Sequence, residues 1–110
     1  MNKMNLFDNI SENLAAEEIL PLLSSGPVRI ERILSTGQAS PPGVWYDQEE
    51  HEWVLVMRGQ GVIEYETGQT ISLAAGDHLH IPPGVRHRVS QTSPDEPTLW
   101  LAVFWRDENP

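Results

Sequence analysis

Turn chemistry interrupts this chain at short intervals. Ser40-Pro41-Pro42-Gly43, Arg58-Gly59-Gln60-Gly61, Thr67-Gly68-Gln69, Ala75-Gly76-Asp77 and Pro82-Pro83-Gly84 follow one another along its second two-thirds. Glycine reaches backbone angles that other residues resist, and proline fixes φ and lacks an amide donor. No long helix survives such punctuation. The pieces between the breaks have strand length and strand composition. Val28 and Ile30, continued by Arg32 or Ile33, open one strand that runs to about Leu34. Others span 52–57, 62–66, 70–73, 78–81 and 86–92, and the last, 98–105, is rich in β-branched and aromatic residues. In 62–66 the alternation places Val62, Glu64 and Glu66 on one face and Ile63 and Tyr65 on the other. About seven strands at this spacing predict an all-β fold, an antiparallel barrel or sandwich.

The front of the chain reads differently. Over residues 11–24, Leu14, Ile19, Leu22 and Leu23 suggest an apolar stripe, and Glu17 and Glu18 suit a helix N-terminal half. The expectation is a short helix bent or shortened by Pro21 and ended by Ser24-Ser25-Gly26-Pro27. The chain of 110 residues then divides into a helical segment (1–26) and a barrel (27–106) of one domain. An edge strand left bare would pair with another chain, so a homodimer through strand addition is expected.

Composition narrows the function. A net charge of −9 disfavours nucleic acid and anionic membrane surfaces. No apolar run approaches the roughly 20 residues of a membrane helix, and MNKMNLFDNISENL lacks the features of a signal peptide, so a cytoplasmic location is expected. There is no cysteine, so any metal must be held by nitrogen and oxygen.

One stretch concentrates the chemistry. Gly76 to His87, GDHLHIPPGVRH, holds three histidines, two prolines and two glycines. The prolines forbid ladder pairing, Gly84 turns the chain, and the strand re-enters with His87 as its first inward residue. A histidine held this way has a fixed ring direction, as a metal site requires. Arg86 and Arg88 flank it, which favours an anionic substrate only if one of them faces the opening. His78 and His80 share a strand face. They point outward if Leu79 and Ile81 face the core, and a face swap would bring His80 to the cavity.

Gly76-x5-Pro82-x-Gly84-x2-His87 resembles the second motif of the cupin superfamily, with Gln91 where the family has asparagine. Glu52, followed after six residues by Gly59, resembles the second half of the first cupin motif. The resemblance runs from about Gly43 to Val103 and implies a jelly-roll-like β-barrel. Its usual histidine pair is missing: the corresponding positions are Tyr46 with Gln48, or Trp45 with Asp47. The stretch PPGVWYDQEEHEWVLVMRGQG is similar to small bacterial cupins in which an Asp-Gln pair stands there.

The resemblance implies a divalent metal, with Glu52 and His87 carried over as ligands. Asp47 is the best chemical substitute for a lost ligand, and Gln48 offers a neutral oxygen. His51 has the better donor type, but it adjoins Glu52, and adjacent strand residues face opposite sides unless a bulge intervenes. Zinc, manganese, iron or nickel would suit such an oxygen-rich set. Trp45 and Tyr46 would line the cavity mouth, with Tyr46 a candidate proton donor. The implied function is a metal-dependent enzyme acting on a small molecule inside the barrel. The alternative is a non-catalytic binding or sensing module.

Overall fold

The computed structural model describes residues 2–107. Its regular elements are all strands: β1 (Glu18–Ser25), β2 (Val28–Ser35), β3 (His51–Arg58), β4 (Gln60–Tyr65), β5 (Thr70–Ala74), β6 (His78–Ile81), β7 (His87–Thr92) and β8 (Thr98–Trp105). They form a five-stranded sheet, β1-β2-β8-β3-β6, and a three-stranded sheet, β5-β4-β7. Every pairing is antiparallel. Inward side chains of both sheets make one core, with Val54, Val56, Ile63, Leu73, Ile81 and Trp100 buried together. Ile63 and Tyr65 face that core, as the alternation in β4 predicts.

The expected N-terminal helix is not formed. No helix occurs among the described residues, and 18–25 is β1, paired along its length with β2. Two causes outweigh the apolar periodicity. Pro21 costs an interior helix about 3 kcal/mol, but it is tolerated at the edge of a sheet, where its missing donor faces away from the ladder. Ser24-Ser25-Gly26-Pro27, read as a helix stop, is the hairpin turn, and Gly26 takes the positive φ (54°) that the turn needs.

Both edges of the five-stranded sheet are blunted. The β1 ladder shifts register between Pro21 and Leu23, and β6 is four residues long and runs into Pro82. Bulges, prolines and short strands are devices that discourage edge-to-edge pairing.

The segment before β1 lies over the outer face of the five-stranded sheet, held by one buried cation. Arg32, 3% exposed, donates through Nη1 to the carbonyls of Leu6 (3.1 Å) and Asp8 (2.5 Å), and through Nη2 to the Asn9 carbonyl and the Glu18 carboxylate (both 3.2 Å). Hydrogen bonds to a charged donor each contribute about 1.5–3 kcal/mol. Arg32→Met keeps the volume and removes the donors. We expect it to lower the unfolding free energy by about 2–3 kcal/mol and to expose residues 2–17 to limited proteolysis. Unchanged proteolysis of that segment would rule out the clamp.

The β3–β4 turn explains two glycines. Gly59 has φ +84°, and a Cβ there would lie 2.6 Å from Thr98 Oγ1 and 2.7 Å from the Pro97 carbonyl. A Cβ on Gly61 would overlap the Trp100 indole. Glycine is what lets this turn press against β8 and lets Trp100 fill the space between the sheets.

Candidate acid–base pocket

Four elements converge on one end of the interior. From β3 comes Glu52, on the same face as Val54 and Val56. From β7 comes His87, which pairs with Tyr65 of β4 and, through an isolated bridge, with Tyr46. The bridge is reciprocal: Tyr46 N–H donates to the His87 carbonyl (2.7 Å), and His87 N–H donates to the Tyr46 carbonyl (3.2 Å). Gly84 N–H adds a bond to the Gln48 carbonyl at 2.9 Å. The Trp45–Gln48 stretch is thereby laid along the Pro82–His87 turn.

His87 is 3% exposed. Its Nδ1 lies 2.9 Å from the Val85 carbonyl, and its Nε2 lies 3.2 Å from Glu52 Oε1. A carbonyl can only accept, so Nδ1 carries a proton. Nε2 then faces a carboxylate and must carry one as well, unless Glu52 is itself protonated. The pair is an imidazolium–carboxylate couple or its proton-transferred twin. Burial disfavours the cation, but the Glu52 hydrogen bond, the Val85 carbonyl and the Glu52 charge together outweigh it and raise the His87 pKa above its ordinary value. Gln48 Nε2 donates to the same Glu52 oxygen at 3.3 Å.

The pair opens into a cavity of about 330 Å³. Tyr46 stands at its rim, half-exposed, with its ring centroid 5.7 Å from that of His87. Ile33, Val54, Ile63, Val89, Trp100 and Phe104 supply the apolar wall. Glu17, Arg29 and Glu31 supply further charge. Burial pushes the Glu17 carboxyl up from its ordinary value, partly opposed by a hydrogen bond from Ser35.

The sequence-predicted site residues separate into two groups. Glu52 and His87 meet, and Tyr46 joins them at the rim. Asp47 is exposed and lies 3.9 Å from Arg86 Nε instead. His51 is on the opposite face of β3 from Glu52, as strand parity demands, and no bulge redirects it. It sits on Trp105 (ring centroids 4.8 Å apart), with Nδ1 2.8 Å from His80 Nε2 and Nε2 2.8 Å from Asp107 Oδ2. His78 and His80 face outward, while Ile81 is buried. Neither Arg86 nor Arg88 faces the opening: Arg86 is paired with Glu66, and Arg88 with Glu64 at 2.6 Å.

Sequence reasoning passed over Arg29, Glu31 and Glu17. Arg29 and Glu31 alternate with Val28 and Ile30 on β2, and in a two-faced strand either set can look inward. The charged set does, because the N-terminal segment covers the other face.

The donor set does not complete a metal centre. Among the described residues no three histidine, aspartate or glutamate side chains come together around one point. His87 and Glu52 supply two strong donors, and the third nearby group is the Gln48 amide. Catalytic divalent sites commonly use three protein ligands of the stronger kind.

Comparison with known proteins agrees with the fold. A family model described as a cupin domain matches residues 32–104. A Ralstonia eutropha JMP134 protein, named only as a candidate mannose-6-phosphate isomerase, is 44% identical with a TM-score of 0.93, over 97% of this chain and 100% of that one. A Cupin 2 conserved barrel domain protein from Salinispora arenicola CNS-205 is 23% identical with a TM-score of 0.70, over 96% and 89% of the two chains. A cupin superfamily protein from Desulfitobacterium hafniense DCB-2 is 19% identical with a TM-score of 0.74, over 89% and 84%. None of the functionally curated proteins compared matches the chain. With paired antiparallel sheets, Glu52 and His87 converging in the interior, and a family model spanning most of its length, the chain belongs to the cupin family.

Proposed function

We propose that this cupin binds a small polar molecule in its interior cavity and moves a proton on it with the Glu52–His87 pair. The carrying observation is the 3.2 Å approach of His87 Nε2 to Glu52 Oε1 at the cavity wall. Two titratable groups that share a proton in a recess are suited to general acid–base work. On a hydroxy-carbonyl compound, Glu52 as carboxylate takes a proton from the carbon beside the carbonyl. His87 Nε2–H gives one to the oxygen, leaving an enediol. The reverse steps return a proton to the neighbouring carbon, which is an isomerisation that needs no oxidant. Tyr46 at the rim is the candidate second donor. The 44% identical relative named as a candidate isomerase fits this class of reaction.

The divalent metal expected from the sequence (zinc, manganese, iron or nickel) would have only His87 and Glu52 as strong ligands, so the proposed reaction runs without one. Binding without chemistry is the second reading, favoured by the incomplete donor set. In the cell this would be a cytoplasmic protein, with no nucleic-acid partner at a net charge of −9. A homodimer through strand addition would have to form at blunted edges, and sedimentation would measure it.

The test is deuterium incorporation from D₂O into a panel of aldoses, ketoses and amino sugars, followed by NMR. Exchange in the wild type that falls at least about a hundred-fold in both His87→Gln and Glu52→Gln supports the acid–base role. Binding with no exchange supports the second reading. One tightly bound metal per chain, whose removal abolishes exchange, would overturn the metal-free reading.

A further inference from the structure

Resting on that reading of the cavity, we infer that it takes an uncharged or amine-bearing polar molecule and turns away phosphate esters and carboxylates. Positive charge is scarce at the cavity, and what there is of it is already held. The chain has 7 lysines and arginines, and among the described residues only Arg29 of these lines the cavity. Arg32 is turned to the outer face and bound to backbone carbonyls and Glu18. Arg88 is paired on the other sheet, and Arg86 in the loop that leads into it.

Arg29 itself is already paired with two carboxylates. Its Nε and Nη2 donate to the Glu50 carboxylate at 2.9–3.2 Å, and its Nη1 lies 2.9 Å from Glu31 Oε2. The guanidinium also covers the Phe104 ring, 3.8 Å from its centroid. An arriving phosphate would have to compete with two carboxylates for a stacked guanidinium. It would also meet Glu31 in the wall, and Glu17 to the extent that burial leaves it ionised. The Glu52–His87 pair does not offset them, because its two charges balance each other. A neutral hydroxyl finds acceptors here, and an ammonium finds acceptors and opposite charge. The charge balance thus parts this cavity from a sugar-phosphate site, despite the isomerase name carried by the 44% identical relative.

The experiment uses three probes on one ring: cyclohexanol, cyclohexylamine and cyclohexanecarboxylate. Each is titrated near neutral pH into the ¹⁵N-labelled full chain, following the amides of Glu31, Glu52, His87 and Trp100. The amine is expected to bind at least about ten-fold tighter than the carboxylate, a difference of about 1.4 kcal/mol, with the alcohol between them. Glu31→Gln releases one of the two carboxylates on Arg29, and should raise carboxylate affinity about five-fold while the spectrum stays dispersed. A wild-type chain that binds the carboxylate as well as the amine overturns the inference and leaves the cavity reading intact. So does a Glu31→Gln chain with unchanged preference. If none of the probes shifts these amides, the cavity reading fails and the inference fails with it.

Discussion

Trp100→Ala is expected to lower the unfolding free energy by about 3–5 kcal/mol, read from the midpoint of denaturant transitions. Trp100 lies on β8 between Ile33 of β2 and Val56 of β3, is 3% exposed, and reaches across to Gly61 of the other sheet. Removing the indole opens a void bounded by both layers, and antiparallel ladders on either side limit how far it can close. Gly61→Ala acts on the same contact from the opposite direction. It forces a methyl against the ring and should cost about 1–3 kcal/mol. The two changes are coupled, so combining them should cost less than their sum, because the methyl then enters space that the ring has left. Strict additivity would mean that the glycine is needed for some other reason.

Glu52→Gln is expected to have the second large effect. It keeps the shape but removes the charge that stabilises an imidazolium only 3% exposed, and breaking a buried pair this way costs about 3–5 kcal/mol. Two readouts separate this from a packing defect. In an NMR titration, the His87 pKa should fall, because the Glu52 hydrogen bond and charge that raise it are gone and burial still opposes the cation. The stability loss should also depend on pH. The folded-state value is raised, so the pair's contribution is complete below the ordinary imidazole value of 6.5 and is lost as pH rises through the folded value. The gap between wild type and variant should therefore be wide near pH 6 and narrow near pH 9. Its change follows from about 1.4 kcal/mol for each pH unit that separates the folded and unfolded imidazole titrations. A gap of constant width across that range would argue against a charged pair.

How much of this was visible beforehand follows from which forces act locally. The strands from β3 to β8 were legible because glycine and proline act through their own φ angles and need no neighbours to do so. His87 was legible because the Pro82-Pro83-Gly84 turn fixes where its strand begins, and Glu52 because Gly59, after six intervening residues, completes a resemblance to the first cupin motif. β1 was not, since 18–25 is extended only because β2 lies beside it to complete the ladder. The inward turn of Arg29 and Glu31 was hidden for a similar reason: Arg32, on the opposite face of the same strand from the pocket-lining Glu31 and Ile33, holds the N-terminal segment and so decides which face is covered. Asp47 has the chemistry of a ligand, but sequence spacing carries no information about the nearby Arg86 guanidinium that it faces at 3.9 Å. His51 shows the reverse, where the alternation of a strand was a better guide than donor type.

The reciprocal bridge between Tyr46 and His87 has a dynamic consequence. A half-exposed rim segment and a buried ring share the same two backbone bonds, so neither can swing away while the other stays rigid. Local opening of the entrance would loosen the imidazole that shares its proton with Glu52, and a guest gripped by the Tyr46 ring would quiet both at once. If the proposed reaction holds, entry of a ligand and readiness for proton transfer would be one event, which amide-exchange rates at residues 46 and 87 should report by slowing in step.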